Sequence, residues 1–228
     1  MPSFFAEREG GRAVILGGDA RHLARSLRAR VGEEIQVVDP AGLMLTVRLD
    51  LVSPSRVEGI VVSEREHQPE PVARIAIAIA NLPAPALELV LSRCTEAGAS
   101  GFHVIQADRS VTRASKLDRW RTICREAAML AGRLKVPDVS GPTPLEETLP
   151  DLEHPVMLVR DAPLDLAGLV EPSDVALLVG PEGGWSDREL GLVPVQASLG
   201  PRNLRADTAA LVGLAIALSG RRQLRPSP

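Results

Sequence analysis

The sequence predicts an α/β protein in which a parallel sheet with helices follows a small β-rich domain. From residue 74 onward, apolar runs typical of buried strands alternate with segments of helical periodicity, which indicates parallel βαβ units. The apolar run at residues 177–179 leads directly into a glycine-rich bend, a pattern typical of sheets that bind a ligand at the carboxyl ends of their strands. Residues 1–66 instead contain short alternating segments, which favour a small β-barrel.

The composition limits the class of protein. The 228 residues suffice for one large domain or two small ones, and the scarcity of aromatic residues leaves the core to aliphatic side chains. No apolar run reaches the roughly 18 residues of a membrane span, and the start of the chain lacks a signal-peptide pattern. We therefore expect a cytoplasmic protein without a membrane partner.

The cysteines and the other metal-ligating residues do not form a pattern. Cys94 and Cys124 have no CxxC spacing, and two cysteines are too few for a disulfide framework. We predict that both are core thiols. No cluster of His, Cys and acidic residues has zinc spacing, so we expect no metal.

The amino-terminal domain is predicted to combine a basic helix with short strands. Residues 19–28 predict an amphipathic helix, and Asp19 is its expected N-cap. The basic side of this helix carries Arg21, Arg25 and Arg28. Strands are expected at residues 35–39, 43–51 and 56–62. The charged, proline-bearing residues 64–71 predict a linker, so we place the two domains at 1–68 and 72–228.

The second domain is predicted to carry the parallel sheet. Its strands are expected at residues 74–80, 101–106, 156–159 and 175–179. Its helices are expected at residues 86–97, 116–134 and 208–222, with Gly98 ending the first of them. Because the last helix is almost wholly apolar through Leu218, most of its sides must be covered, and a partner subunit is one way to cover them.

Basic residues concentrate in two segments, although the net charge of the chain is −3. Residues 109–135 carry eight basic and two acidic side chains, a net charge of +6, and residues 201–225 carry five and one, a net charge of +4. This concentration is typical of a protein that binds a phosphate backbone. The alternative is a solvated helix face, which is the more common origin of any one such run.

The glycine-rich bend is the strongest local candidate for a ligand site. Gly183 and Gly184 permit backbone angles that side chains forbid, so another molecule can lie directly against the main chain. Ser186 and Glu189 have the spacing of a capping box, which predicts the start of a helix. The alternative is a tight turn without a ligand, because short glycine motifs often occur without one.

Two motifs occur together in the carboxy-terminal part of the chain. Residues 179–186 read Val-Gly-Pro-Glu-Gly-Gly-Trp-Ser, and residues 199–210 read Leu-Gly-Pro-Arg-Asn-Leu-Arg-Ala-Asp-Thr-Ala-Ala. In this order and spacing the pair resembles the SPOUT superfamily of methyltransferases, and more narrowly the 16S rRNA (uracil-N3)-methyltransferase family. Residues 109–111 and 126–133 also fit segments of that family. Residues 22–32 resemble its amino-terminal PUA-like RNA-binding domain.

The chain departs from the family pattern at several positions. Residues 83–86 read Pro-Ala-Pro-Ala where the family often has Lys-Gly-Asp-Lys. Met129 and Leu130 stand where Glu-Gln is usual, Asn203 stands at a usually aliphatic position, and Asp207 replaces a glutamate. The motifs of the cofactor loops are otherwise intact.

The resemblance implies a carboxy-terminal trefoil knot that binds S-adenosylmethionine among three loops, and a homodimer formed through this domain. It assigns to the cofactor Leu158, Val159, Arg160, Leu178, Val179, Gly180, Pro181, Glu182, Gly183, Gly184, Leu199, Gly200, Asn203, Leu204 and Thr208. It assigns catalysis to Arg205, as a fixed positive charge beside a uracil that reacts as its N3 anion. For RNA binding it implies Arg21, Arg25, Arg28, Arg109, Arg133 and Arg202.

The implied function is the methylation of N3 of a uridine in the decoding region of 16S rRNA, in the small ribosomal subunit. Two alternatives stay open at this point. One is a SPOUT methyltransferase that acts on tRNA or on a ribose. The other is a non-catalytic RNA-binding protein of ribosome assembly, which the missing lysines and the acidic net charge suggest.

Overall fold

The chain divides into two compact units. The computed structural model describes residues 3–169 and 174–220. The first unit contains the described residues up to Glu70 together with Ala128–Val136, and the second contains Pro71–Ala127 together with the described residues from Pro137 onward. Arg221, Arg222 and Arg225, and with them the predicted end of the last helix, lie outside the described residues.

The first unit is built on a mixed six-stranded sheet. Its strands are β1 (Phe4–Phe5), β2 (Glu7–Glu9), β3 (Arg12–Leu16), β4 (Glu34–Asp39), β5 (Leu43–Val52) and β6 (Arg56–Glu66). They lie in the order β1-β4-β5-β6-β3-β2, in which β1 pairs with β4 in parallel and every other neighbouring pair is antiparallel. Alternate residues point inward, so that Ile35 and Val37 of β4 and Leu45 and Val47 of β5 form a core with Phe4.

The basic helix of the first unit begins earlier than predicted. Helix α1 (Gly17–Arg21) continues into one π-helical turn at His22–Ser26. Asp19 lies buried inside α1, and the cap position is occupied by Leu16, so the prediction of Asp19 as N-cap is wrong. The reason is the glycine at position 17, whose positive φ of 64° lets the chain turn into the helix directly from β3.

Part of the predicted linker is strand. β6 runs to Glu66, which pairs with Leu43 of β5, and this antiparallel pairing could not be inferred from composition. Beyond the strand, His67 Nε2 and the carbonyl oxygen of Gly132 form a hydrogen bond of 2.5 Å. The carboxylate of Glu70 accepts a hydrogen bond from Arg133 Nη2 at 2.6 Å. These contacts explain why residues 128–136 belong to the first unit.

The second unit is built on an all-parallel seven-stranded sheet. Its strands are β7 (Ile75–Ala80), β8 (Gly101–Gln106), β9 (Asp138–Pro144), β10 (Pro155–Leu158), β11 (Leu164–Asp165), β12 (Val175–Val179) and β13 (Gln196–Ser198). Their order is β11-β13-β10-β12-β7-β8-β9, and each neighbouring pair is parallel. The helices that follow residue 80 are α2 (Ala84–Ala97), α3 (Leu117–Ala131), α4 (Leu145–Thr148), α5 (Asp187–Leu190) and α6 (Ala206–Gly220). The predicted α/β class with a parallel sheet is therefore confirmed.

The order of the strands determines where the functional loops meet. β12 lies beside β7, with Leu177 opposite Ile77, and both strands are buried along nearly their whole length. β10 lies between β12 and β13. The carboxyl ends of these three parallel strands are therefore adjacent, and the loops that follow them meet at one edge of the sheet.

The helices of the second unit agree with several local predictions. α2 ends at Gly98, which has the left-handed φ of 105° expected of a C-cap. Cys94 and Cys124 are buried and not joined in a disulfide, as predicted, and burial raises the pKa of Cys94 to about 12. Within the described residues, the helices lack the length and apolarity needed to cross a bilayer. Among the same residues, no group of three or more His, Cys, Asp or Glu side chains could hold a metal ion.

Candidate active site

A cavity of about 330 Å³ opens at the carboxyl ends of β10, β12 and β13. The residues after β12, 180–185, are called the glycine loop below, and the residues after β13, 199–205, are called the arginine loop. The cavity is lined by Leu158, Val159, Arg160, Val179, Gly180, Pro181, Glu182, Gly184, Trp185, Leu190, Leu199, Gly200, Arg202, Asn203, Leu204, Arg205, Ala206 and Ala209. Ligands of open parallel sheets bind at this kind of position.

The glycine loop presents bare main chain to this cavity. The N–H of Gly184 donates to the carbonyl of Pro181 at 2.8 Å, which closes a tight turn. Gly184 has a φ of 70°, a conformation that side chains rarely adopt. A Cβ at Gly180 would lie 3.0 Å from the indole of Trp185, so the ring packs directly against the main chain there. This packing involves Gly180, so the expectation that Gly183 and Gly184 let a ligand lie against the main chain stays a prediction.

The helix after the glycine loop starts as predicted. Ser186 caps α5 by accepting a hydrogen bond from the N–H of Glu189 at 3.2 Å. The carboxylate of Glu189 accepts the N–H of Ser186 in return at 2.9 Å, which completes the capping box. Glu189 is fully buried, and its other oxygen accepts the N–H of Asp108 at 3.0 Å. The cap therefore also ties the glycine loop to the end of β8.

Asp108 gives this attachment a second set of contacts. Its carboxylate accepts hydrogen bonds from Arg188 Nη2 at 2.6 Å and from the hydroxyl of Ser186 at 2.5 Å. These two bonds, that from Arg188 first, lower the pKa of Asp108 below its ordinary value. The carboxylate thus stays ionised as an anchor for the start of α5.

Arg109 holds the glycine loop from the same side. One guanidinium nitrogen, Nη1, donates to the carbonyl of Gly183 at 2.9 Å and to the carbonyl of Trp185 at 3.0 Å. Its Cβ lies 3.4 Å from the position that a Cβ of Gly183 would occupy. The glycine loop is therefore fixed by contacts to two successive residues, Asp108 and Arg109, that follow β8.

The arginine loop is held more sparsely. The hydroxyl of Ser198 donates to the carbonyl of Arg160 at 2.8 Å, and the N–H of Gly200 donates to that hydroxyl at 3.0 Å. Beyond Gly200 the side chains of Arg202 and Asn203 are exposed. Arg205 has a side chain that is 73% exposed, and its Nε lies 3.8 Å from Asp207 Oδ1. Such an exposed and distant ion pair restrains the guanidinium only weakly.

One polar atom in the cavity wall has no partner. The indole N–H of Trp185, a residue that is 6% exposed, is buried and makes no hydrogen bond with any described residue. A buried donor without an acceptor is costly, and such atoms are uncommon in native proteins. An acceptor group of a bound ligand would satisfy it.

Most of the residues assigned to the cofactor lie around this cavity, and three do not. Leu178 is fully buried within β12, the carbonyl of Gly183 accepts a hydrogen bond from Arg109, and Thr208 makes hydrogen bonds with Asp207. The sequence-based assignment omitted Trp185, Leu190, Ala206 and Ala209, which also line the cavity. A signal for the last two existed: small residues three apart at the start of a helix share one face.

The arginines predicted for RNA occupy different environments. In the first unit, Arg21 and Arg25 line a shallow cavity together with Gly17, Pro54 and Ser55, and Arg28 is exposed. In the second unit, Arg202 lines the cavity at the carboxyl ends of β10, β12 and β13.

The other two arginines are engaged within the protein. Arg133 is 5% exposed and pairs with Glu70, and Arg109 makes its hydrogen bonds with the glycine loop. Direct binding of phosphates by these two arginines stays a prediction, and their contacts within the protein argue against it.

Comparison with known proteins identifies the family. The RNA methyltransferase domain family matches residues 68–218. Ribosomal RNA small subunit methyltransferase E of Synechocystis is 32% identical over 210 residues, which cover 85% of this chain and 68% of that protein. The protein of the same name from Mycobacterium bovis is 31% identical, over 90% of this chain and 85% of its own length.

A solved structure agrees with these relatives. It is that of ribosomal RNA small subunit methyltransferase E from Neisseria gonorrhoeae bound to S-adenosyl methionine. It superimposes with a TM-score of 0.86 at 26% identity, over 96% of this chain and 97% of the other. The resemblance seen in the two loop motifs is thereby confirmed. The chain belongs to the RNA methyltransferase domain family, among the ribosomal RNA small subunit methyltransferases E.

Proposed function

We propose that this protein transfers a methyl group from S-adenosylmethionine to N3 of a uridine in 16S rRNA of the small ribosomal subunit. The observation that carries the proposal is the cavity at the ends of β10, β12 and β13, which joins bare glycine backbone to exposed arginines. The relatives named ribosomal RNA small subunit methyltransferase E support the reaction and the class of RNA.

The walls of the cavity fit the cofactor. Adenine needs apolar surfaces beside its faces and polar groups at its edge, and Leu199 and Leu204 with the main chain of the glycine loop offer both. The unpaired indole N–H of Trp185 offers a further donor. S-adenosylmethionine supplies an electrophilic methyl group on a positively charged sulfur. The part of this chain is to hold that group and to exclude water from it.

Arg205 is assigned to the uracil. N3 of uracil is a weak acid that reacts as the anion, so a fixed positive charge beside it favours the reactive form. Arg205 borders the cavity, is largely exposed and has only a distant partner in Asp207, so its guanidinium remains available to a substrate. Arg202, on the same loop, lines the cavity and is the residue that we assign to a phosphate of the RNA.

The remaining parts of the proposal concern architecture. The first unit acts as a PUA-like RNA-binding domain, with Arg21, Arg25 and Arg28 on its basic side. The carboxy-terminal part forms a trefoil knot, for which the insertion of β13 between β10 and β11 is supporting evidence. A target in the small ribosomal subunit places the protein in the cytoplasm.

A homodimer formed through α6 completes the proposal. This helix packs one side against the sheet, where a Cβ at Gly213 would lie 3.0 Å from Leu158. Leu211, Val212 and Ile216 remain only half-buried along the helix. An apolar surface of this kind favours a second copy of the chain as its cover. Light scattering on the purified protein measures the assembly directly.

The decisive experiment is methyl transfer to small subunits isolated from a strain that lacks this activity, followed by mass spectrometry of the nucleosides. We expect 3-methyluridine in 16S rRNA. A ribose-methylated product, or methylation of tRNA alone, would contradict the proposal in favour of another RNA target. Calorimetric titration with S-adenosylmethionine separates both from a non-catalytic RNA-binding protein, for which no binding is expected.

A further inference from the structure

The loop that joins β8 to α3 exposes an apolar side chain to solvent. Val111, in this loop, is 84% exposed, which makes it the most exposed of the large hydrophobic side chains that the structure describes. Single exposed apolar residues are common and carry no meaning alone. The surroundings of Val111 distinguish it, because hydrogen bonds fix the main chain next to it and its loop is adjacent to the methyl-donor site.

Two side-chain hydrogen bonds hold the main chain of this loop on the carboxyl side of Val111. Gln106 Nε2 donates to the carbonyl of Thr112, and Asn81 Nδ2 donates to the carbonyl of Ala114, both at 3.2 Å. Asn81 is almost fully buried and also donates to the side chain of Gln106 at 3.3 Å. Two carbonyls of the loop are thus anchored, one to buried Asn81, which follows β7, and one to half-buried Gln106 at the end of β8. Val111 is therefore presented to solvent by a fixed main chain.

The same loop carries two cations that are available to a partner. Arg113 and Lys116 are exposed, and the described part of the chain provides neither of them with a carboxylate at ion-pair distance. An apolar tip flanked by unpaired positive charges is complementary to RNA, in which unstacked bases alternate with phosphates. It is a poor match for an apolar protein surface, where both charges would lose their hydration without compensation.

The loop is also coupled to the cofactor cavity by the chain itself. Ser110 of this loop directly follows Arg109, which donates to the carbonyls of Gly183 and Trp185 in the glycine loop. A nucleic acid that rests on this loop is therefore positioned against the element that shapes the cavity.

We propose that residues 110–116 form an RNA-docking loop beside the target nucleotide. Val111 packs against a base that is unstacked when the target uridine turns out of the helix, and Arg113 and Lys116 contact the flanking phosphates. Proteins that distort nucleic acids use apolar wedges and neighbouring cations in this way. The inference rests on the proposed function, since it names the RNA contact of the same site.

The test compares two variants with two matched controls. The variants are Val111→Ser and the double substitution Arg113→Gln/Lys116→Gln. The controls are Val72→Ser and Arg74→Gln, which change an exposed valine and an exposed arginine at the opposite, amino-terminal edge of the sheet. The probe is the unmethylated small subunit, with binding measured over a salt series, methyl transfer in a single turnover and S-adenosylmethionine affinity by calorimetry.

We expect the double variant to bind the small subunit at least about tenfold more weakly, with the slope of log K against log salt reduced by about 1.4 for two phosphates of single-stranded RNA. Val111→Ser is expected to slow single-turnover transfer about fivefold or more without changing the salt slope. Both should keep the affinity for S-adenosylmethionine and the assembly state of the parent protein. The two controls should behave like the parent in every measurement.

Three other outcomes in the variants would argue against the docking loop. Unchanged subunit binding and transfer in both variants would overturn it, as would a loss that the controls share. A changed assembly state in Val111→Ser would assign the residue to a protein interface instead. If the parent protein itself binds the subunit but transfers no methyl group, the proposed function fails, whereas the binding and salt measurements still decide on the loop.

Discussion

The glycine loop follows β12 and the arginine loop follows β13, at the same carboxyl edge of the parallel sheet, yet the two loops are held very differently. The glycine loop receives hydrogen bonds from Arg109 at two carbonyls, and the cap that follows it is anchored to Asp108. The arginine loop is held at its two ends, through Ser198 and Gly200 at its beginning and through the carbonyl of Arg205, which accepts the N–H of Ala209 at 2.8 Å. Between these ends the side chains of Arg202 and Asn203 are exposed.

This difference suggests a division of work between the two loops. A small ligand is bound most tightly by a surface that is already in its final shape, because no ordering has to accompany binding. An RNA substrate brings its own charges, so cations on a less restrained segment can adjust to it. We therefore expect the glycine loop to determine cofactor affinity and the arginine loop to determine the chemistry on the base.

The largest effect is expected from Arg205→Ala in the arginine loop. Loss of the positive charge beside the developing anion should lower single-turnover transfer by about a hundredfold or more. Affinity for S-adenosylmethionine should stay within about tenfold, a difference of about 1.4 kcal/mol. Transfer assays and calorimetry on the same preparation test both statements. Near-normal transfer would remove Arg205 from the catalytic role.

Arg109→Gln is expected to have the next largest effect, and this effect is on cofactor affinity, not on methyl transfer. Without the guanidinium, the carbonyls of Gly183 and Trp185 lose a charged donor, so the glycine loop should lose its fixed shape and the cofactor should bind about tenfold more weakly. The matched control is Arg109→Lys, which keeps the charge but not the planar guanidinium. Its cofactor affinity should lie between those of the parent protein and of Arg109→Gln. Unchanged cofactor affinity in Arg109→Gln would contradict the clamp.

Trp185→Phe isolates a single N–H. The substitution keeps a ring against Gly180 while it removes the buried donor that has no protein partner. If the cofactor accepts this hydrogen bond, its affinity should fall about threefold to tenfold. The chain has two tryptophans, so the indole ¹⁵N signal that remains in Trp120→Phe belongs to Trp185. This signal should also shift when the cofactor is titrated in. An indole signal that does not shift when the cofactor is added would exclude this hydrogen bond.

The smallest effect is expected from Asp108→Asn. The amide keeps the shape and one acceptor for the hydroxyl of Ser186, and the exposed pair with Arg188 is worth little by itself. Cofactor affinity at neutral pH should change less than about threefold. The pKa of Asp108 is lowered in the folded protein. Its contacts therefore stabilise the loop at pH values above the ordinary pKa of 3.8, and this stabilisation is lost as the pH falls below that value.

An acid titration of loop stability should therefore show this loss in the parent protein and not in Asp108→Asn. The two curves should converge at low pH, where the carboxylate is protonated. A difference between them that persists there would assign the effect of the substitution to something other than charge.

Several parts of the site could be predicted because they depend on neighbours in the sequence. The capping box needs only Ser186 and Glu189, three residues apart. The bend needs glycines at specific positions, and the C-cap of α2 needs Gly98. The buried strand before the bend follows from its uninterrupted apolar residues. Each of these features is written in fewer than about a dozen residues of chain, within one turn or strand.

The predicted cap at Asp19 failed for a local reason, the turn at Gly17. The other predictions that failed or stayed open depend on distant residues. A basic side chain looks alike in sequence whether it reaches solvent or a carbonyl, so Arg109 and Arg133 resembled the other arginines of their segment. Part of the linker became strand because β5 provides it with backbone partners. The missed lining residues of α6 enter the cavity only because that helix begins at its rim.

By itself, the sequence determined the α/β class, the glycine bend with its helix cap and the family. All three arise from local periodicity and short motifs. The tertiary structure alone decided that Arg109 clamps the glycine loop, 74 and 76 residues away along the chain, that Arg133 pairs with Glu70 across 63 residues, and that the indole N–H of Trp185 has no partner. The physical reason is that hydrogen bonding and burial are properties of neighbours in space, which only the pairing of the strands brings together.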